Sequence, residues 1–332
     1  LQEILDDQPR HQERAEGRLA PSLYDTLEVF TWGIAGLVVL VGGIWTLRAG
    51  DWRLSFGLTA LALAACGSST TSSAGGTTAS KAPDCAPASL KLTTAGMLTI
   101  GTDNPAYEPW FKDNTPSNGQ GYEAAMAYAI ADKMGFPKDK VTWVVAPFNA
   151  VTTGAARNFD FDVNQVSIND ERKKAVDFSS GYYDVRQAIV TYKGSPIDGK
   201  TSIADLAGAK FGAQIGTTSY KAIVDQIKPT TKPAVYNDND LAVQALKNKQ
   251  IDGIVADLPT AFFMSAAQLD NGVIVGQLPS AGAQPEQFGA VLTKGSPLTA
   301  CVTKAVDALR ADGTIDKLVA QWLSAAGAPE LK

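Results

Sequence analysis

Histidine is nearly missing from this chain, since its 332 residues include only His11. That residue lies far from the stretch that reads as a folded body, so Ser-His-Asp, Cys-His and histidine-metal chemistry are excluded there. Cysteine is scarce as well: Cys66, Cys85 and Cys301 are the whole set. Positive charge is not in excess. Against 29 Lys and Arg stand 34 Asp and Glu, a net charge of -5, which argues against a nucleic-acid partner. Few enzyme classes survive these absences, and neither cofactor nor metal is expected. What remains is 45 % hydrophobic and 19 % charged, an ordinary globular composition. The length suits about two domains.

The three cysteines sit in different contexts. "RLSFGLTALALAACGSS" has a basic flank (Arg48, Arg53), an apolar run from Leu54 to Ala65, and the ending Leu63-Ala64-Ala65-Cys66. Residues 54–66 resemble a bacterial lipoprotein signal with its lipobox, in which Cys66 is lipidated and becomes the mature N-terminus. "GSSTTSSAGGTTASKAPD" opens the segment 67–87, too polar to bury and read as a flexible tether. Residues 1–53 form an N-terminal extension whose apolar segment 29–47, "VFTWGIAGLVVLVGGIWTL", is long enough to span a bilayer. Such a segment does not fit ahead of a lipobox. Either the natural start lies downstream, the favoured reading, or the tail of a membrane protein is fused to the domain that follows. Arg10, Arg14 and Arg18 on one side, against Arg48 and Arg53 on the other, leave its orientation open.

Beyond the tether, short β-like runs alternate with helical ones. "MLTIGTD", "VTWVVA" and "FDVNQVS" read as strands. "GYEAAMAYAIADKMG" reads as a helix with Tyr122, Met126, Ile130 and Met134 on one stripe and Gly135 as its stop. "SIADLAGAKFGAQIGTTSYKAIVDQI" gives a helix capped by Ser202 and Asp205, a strand and another helix; "DLAVQALKNKQIDGIVAD" repeats helix then strand. This alternation predicts parallel α/β sheets. The near-copies "TYKGSP" (Thr191 to Pro196) and "LTKGSP" (Leu292 to Pro297) each follow an apolar strand, either as two crossings between lobes or as one common turn used twice.

In open α/β sheets ligands sit beyond the carboxyl ends of the strands. Those ends carry Thr102-Asp103, Gln165-Val166-Ser167, Gly216-Thr217-Thr218 and Asp257. Hydroxyls, carboxylates, a helix N-terminus and one arginine suit a small zwitterion and suit catalysis poorly. The arginine lies in "SINDERKKAVDFSSGYY", where Ser167 or Asn169 can cap a helix whose first turn holds Asp170 and Glu171. Taken alone, that stretch is a solvated helix face.

"LTIGTDNPAYEPWF", "GYEAAMAYAIADKMGF", "FDFDVNQVSINDERKKAVDFSSGYY", "FGAQIGTTSY" and "IDGIVADLPTAFF" change that reading. In their order and separations, from about Leu90 to Leu323, the chain resembles the polar amino-acid-binding proteins that serve ABC importers, solute-binding protein family 3. The resemblance implies a two-lobed periplasmic-binding-protein-like fold (type II), two open α/β sheets joined by two hinge strands. Lobe 1 would comprise 88–187 and 290–332, and lobe 2 would comprise 188–289. It also implies a monomer that closes on a free amino acid and hands it to the permease subunits of an ABC transporter. With a lipid on Cys66, it would act on the outer face of the cell membrane.

Site roles follow from the same resemblance. Arg172 would grip the ligand α-carboxylate with a fork that lysine fills badly. The N–H groups of Thr217 and Thr218 would donate to that carboxylate from the other lobe. Asp257 and the Ser167 hydroxyl would accept from the α-ammonium, because a desolvated zwitterion requires a partner for each charge. Tyr107 and Phe148 would sandwich the ligand side chain, Asp103 would meet its distal end, and Trp110 is expected to be packing. The chain departs from the family's commonest pattern at Asn164-Gln165, where small residues are usual, and at Asn169-Asp170, often Thr-Pro; an extra residue also separates Asp103 from Tyr107. Asn164 and Gln165 are therefore candidates to reach the ligand side chain, and acidic, basic, amide and sulfur-containing amino acids all stay open.

Export would put Cys85 and Cys301 in an oxidising space, where the two are expected to pair. Two further readings stand beside the receptor. A dehydratase on the same fold would need a buried general acid, for which Glu108 and Glu123 are the candidates. A sensor module of a membrane receptor or permease fusion has only segment 29–47 in its support.

Overall fold

The structure, a computed structural model, describes residues 84–323 and 327–332. Segment 29–47, the lipobox with Cys66, and the tether up to residue 83 lie outside the described residues. Residues 84–87, assigned from sequence to the tether, are folded: Cys85 is bonded to Cys301 and packs against the first core.

Ten strands form two five-stranded sheets. The first contains β1 (Leu98–Thr102), β2 (Val141–Val145), β3 (Phe161–Asp162), β4 (Val176–Val185) and β10 (Glu286–Thr293), in the order β2-β1-β3-β10-β4. The second contains β5 (Gln187–Tyr192), β6 (Phe211–Gln214), β7 (Ala234–Tyr236), β8 (Gly253–Asp257) and β9 (Gly272–Gln277), in the order β7-β6-β8-β5-β9. β1 runs parallel to β2 and β3, and β6 runs parallel to β7 and β8. The expectation of parallel sheets fails at β10 and β5, each antiparallel to both neighbours. Strands β6 and β8 end at the cleft, whereas β5 enters its lobe there and runs away from it. The register Gln187↔Asp257 places that start beside that end.

The chain crosses between sheets twice, through Arg186 and through residues 278–285. Neither crossing is one of the near-copied hexapeptides. Those lie at the far ends of β5 and β10, where Ser195 N–H donates to Tyr192 O and Ser296 N–H to Thr293 O. Gly194 and Gly295 take φ of 84° and 75°, so the copies are one turn used twice.

Eight helices cover the sheets among the described residues: α1 (Tyr122–Lys133), α2 (Phe148–Thr152), α3 (Arg172–Ala175), α4 (Thr218–Ala222), α5 (Asn239–Lys247), α6 (Leu258–Phe263), α7 (Thr299–Ala311) and α8 (Thr314–Trp322). The α1 stripe works as its spacing predicts. Tyr122, Met126 and Ile130 are fully buried with Leu98, Ile100 and Phe161 of the sheet, each contributing about 1.5–3 kcal/mol. In lobe 2 the sheet is covered on two sides, by Phe211, Ile223 and Val255 in one cluster and Ile254, Leu246 and Met264 in another. The last residues, assigned from sequence to lobe 1, lie instead against β9. Leu331 N–H donates to Gln277 O at 2.9 Å, and its side chain is buried in the lobe 2 core. β9 is an edge strand, and this segment covers its unpaired groups.

Candidate ligand-binding cleft

One cleft between the sheets collects all ten residues nominated from sequence: Asp103, Tyr107, Phe148, Asn164, Gln165, Ser167, Arg172, Thr217, Thr218 and Asp257. Glu108 and Glu123 are not on its wall.

The lobe 1 wall is built where the expected strand "FDVNQVS" breaks off. Pairing breaks off after Asp162 and returns only as the antiparallel bridge of Ser167 with Phe288, and between them Gln165 takes a left-handed φ of 49°. Asn164 Nδ2–H donates to Ala146 O at 3.4 Å. Asn169 Oδ1 accepts from Arg172 N–H at 2.8 Å and Asn169 O from Lys173 N–H at 3.0 Å, so Asn169 caps the turn that carries Asp170 and Glu171 into the four-residue α3. Ser167 turns its hydroxyl to Thr218 Oγ1, 3.3 Å away on the other lobe. Asp103 accepts from the N–H groups of Asn104 (2.8 Å) and Phe148 (3.1 Å); burial raises its pKa against these bonds. The Tyr107 hydroxyl accepts from Asp240 N–H of lobe 2 at 3.4 Å.

Arg172 parts company with its neighbours. Lys173 and Lys174 face solvent and pair with Asp170 at 3.4 Å and Glu171 at 2.5 Å. Arg172 is only 7 % exposed, its guanidinium 5.3 Å above the Phe148 ring. Nη1–H donates to Ser167 O at 2.7 Å and Nη2–H to Gly216 O at 3.0 Å. Burial pulls its pKa down to about 10, against the attraction of Glu286. Among the described residues no ion pair holds it.

Across the cleft, Gly216 sits at φ 75°, where a Cβ would come within 2.5 Å of Asn149 Oδ1 from lobe 1. The left-handed φ favours glycine there, and with any other residue the end of the Asn149 side chain would have to shift. The Thr217 hydroxyl accepts from Tyr220 N–H at 3.1 Å and caps α4, and the Thr218 hydroxyl donates to Glu286 Oε1 at 2.5 Å. Asp257 ends β8 and caps α6, accepting from Thr260 N–H at 3.0 Å and Thr260 Oγ1–H at 2.9 Å. Enclosure raises its carboxyl to about 6; the Thr260 bonds oppose that rise and the Glu286 charge adds to it.

Sequence reasoning missed Gln187 on this wall and two residues off it that hold wall residues in place, Trp110 and Glu286. Trp110 is more than packing: fully buried, it donates Nε1–H to Thr260 Oγ1 of the other lobe at 2.8 Å. Gln187 lines the cleft and accepts from Ser219 Oγ at 2.7 Å. Glu286 holds Thr218. Gln187 and Glu286 are the first residues of the two strands that leave the crossings, so locating the crossings correctly would have exposed both.

This geometry belongs with the match of residues 98–325 to the bacterial extracellular solute-binding proteins, family 3. The chain belongs to that family. Among related solute-binding proteins, an L-arginine-binding protein of Pseudomonas aeruginosa is 29 % identical over 250 residues, 71 % of this chain and 94 % of the relative. A probable histidine-binding protein of Campylobacter jejuni is 29 % identical over 240 residues, 71 % of this chain and 88 % of the relative. Of solved structures, an ancestral arginine-binding protein bound to arginine is 32 % identical, with a TM-score of 0.55, covering 69 % of this chain and 99 % of that one. An ancestral amino acid-binding protein described as a precursor of cyclohexadienyl dehydratase is 31 % identical, with a TM-score of 0.56, covering 69 % and 96 %. The two mixed sheets and their helices are those of type II periplasmic binding proteins.

Proposed function

We propose that this solute-binding protein is an extracytoplasmic receptor, anchored through lipid on Cys66, that binds a polar amino acid in the interlobe cleft and delivers it to an ABC importer. The observation that carries the reading is Arg172: a buried guanidinium with two of its five donors on main-chain oxygens and, among the described residues, no carboxylate in ion-pair contact, sharing one cleft with the Asp257 carboxyl. A zwitterion supplies the missing charge to each. Thr217 and Thr218, at the start of α4, complete the carboxylate side, and Ser167 completes the ammonium side.

Charge selects the side-chain class. Asp103 and Asp257 line the cleft, and Asp238 and Asp240 add negative potential around Asp103 and Tyr107. Among the described residues, Arg172 is the one cation on that wall. A ligand with a cationic side chain fits this field, as the names of the arginine-binding relatives would suggest. A thermal-shift screen of the standard amino acids tests the proposal, because a ligand at about 100 times its Kd adds about 2.7 kcal/mol. L-arginine or L-lysine should give the largest shift. A largest shift with L-glutamate would sink the cationic class, and no shift with any would sink the receptor. Intact mass of the membrane-extracted chain tests the anchor, with a start at Cys66 plus acyl chains expected.

One observation favours the dehydratase reading: Glu123 is buried with its carboxyl raised to about 7, as a general acid requires. Against it, the carboxylate is tied to Tyr182 and Gln165 and stands off the cleft wall. Loss of prephenate absorbance on incubation with the protein would support the enzyme.

A further inference from the structure

Gln165 stands where the resemblance leads us to expect a small residue, and its backbone is left-handed. Its main-chain N–H donates to Glu123 Oε1 at 2.8 Å, and its side-chain Nε2–H donates to Glu123 Oε2. Glu123 also accepts from the Tyr182 hydroxyl at 2.5 Å. The carboxylate is fully buried on α1, behind a residue that is itself on the cleft wall.

Above about pH 7, where Glu123 is ionised, its carboxylate accepts and does not donate, so only the NH2 end of a glutamine amide can face it. The two ends of the amide diverge. With Nε2 turned to Glu123, Oε1 is the end left over, and no donor among the described residues meets it. From these contacts we infer that Glu123 is a positioning residue that fixes the Gln165 amide with Oε1 toward the ligand, making Gln165 a specificity-determining acceptor for a donor-bearing side chain. Were the amide free to turn, the same position would offer NH2 and welcome a carboxylate. The inference deepens the proposed function and rests on that reading of the cleft.

Calorimetry at about pH 8, where Glu123 is ionised, on the full chain with L-arginine and L-glutamate as probes tests it. Glu123→Gln keeps the shape but can donate to Oε1, releasing the amide. The wild-type preference for L-arginine over L-glutamate should fall by about ten- to hundredfold, the range of one charge-assisted hydrogen bond. A merely structural role would weaken both probes alike and leave the ratio unchanged, which would overturn the inference. Because Glu123 is buried and its variant could fail to fold, Gln165→Met provides a second arm. It keeps side-chain length, loses Oε1, and should weaken L-arginine by about tenfold. Wild-type-like binding of L-arginine by Gln165→Met would sink the inference and leave the receptor standing. Failure of the wild type to bind either probe or any standard amino acid would sink the receptor reading first.

Discussion

Arg172 reaches across the cleft to Gly216: Nη2–H donates to the glycine's main-chain oxygen at 3.0 Å. The same guanidinium holds Ser167 O of its own lobe, so one side chain touches both walls of the site. If it also holds the ligand carboxylate, Arg172→Ala should weaken amino-acid binding by about thirty-fold to a few thousand-fold, corresponding to about 2–5 kcal/mol. Arg172→Lys should also bind weakly, because a point charge cannot reproduce the fork. Lys173→Ala and Lys174→Ala, whose ion pairs are exposed, should change little. Calorimetry on the four variants decides; wild-type affinity in Arg172→Ala would return Arg172 to a structural role.

Trp110 and Thr260 form a chain of donors that runs from lobe 1 into lobe 2 and ends on the Asp257 carboxylate. The indole N–H exists only to be donated, and closure gives it the Thr260 oxygen that in turn donates to Asp257. Trp110→Phe keeps the ring contacts with Tyr122, Tyr183 and Phe288 and loses that bond. Ligand release measured by stopped flow should speed up by about three- to tenfold, the effect of one neutral hydrogen bond. Unchanged release would show that the bond contributes nothing to the closed state.

Proton linkage should move stability and affinity in opposite directions. Burial raises Glu123 to about 7 and Asp257 to about 6, both above their unfolded values near 4. The folded ligand-free chain therefore holds protons that the unfolded chain has lost, and its stability should rise as pH falls from 8 toward 5. Ligand ammonium needs Asp257 ionised, so affinity should fall as pH drops below about 6, approaching tenfold per unit. Among the described residues there is no histidine to blur this range. Thermal melts with and without ligand at each pH test it; a ligand shift that grows toward pH 5 would contradict the role given to Asp257.

The disulfide between Cys85 and Cys301 spans 216 residues and ties the segment before β1 to α7. Its removal by Cys85→Ser with Cys301→Ser should cost about 2–5 kcal/mol, since the unfolded chain regains the entropy of a very long loop. Urea melts of the oxidised protein and the double variant would measure this. Equal stability would mean that packing of the two segments already supplies the restraint.

How far the sequence reached depended on whether the information was local. The apolar stripe of α1, the ends of β1 and β8 and the Ser202 cap are set by neighbours a few residues apart, and each was legible. So were the ten cleft residues, because the motifs of a known family carry their spacing. The direction of β5 and β10, the true crossings at Arg186 and 278–285, and the return of Leu331 to lobe 2 depend on partners far along the chain. No local pattern encodes them. Arg172 and Lys173 show the division most plainly: identical in charge and adjacent in sequence, one is buried over Phe148 and the other is solvated. Sequence supplied a cation at each position. Only the closing of one sheet's loops over the other decided which cation lost its water, and with that loss came the demand for a partner of opposite charge.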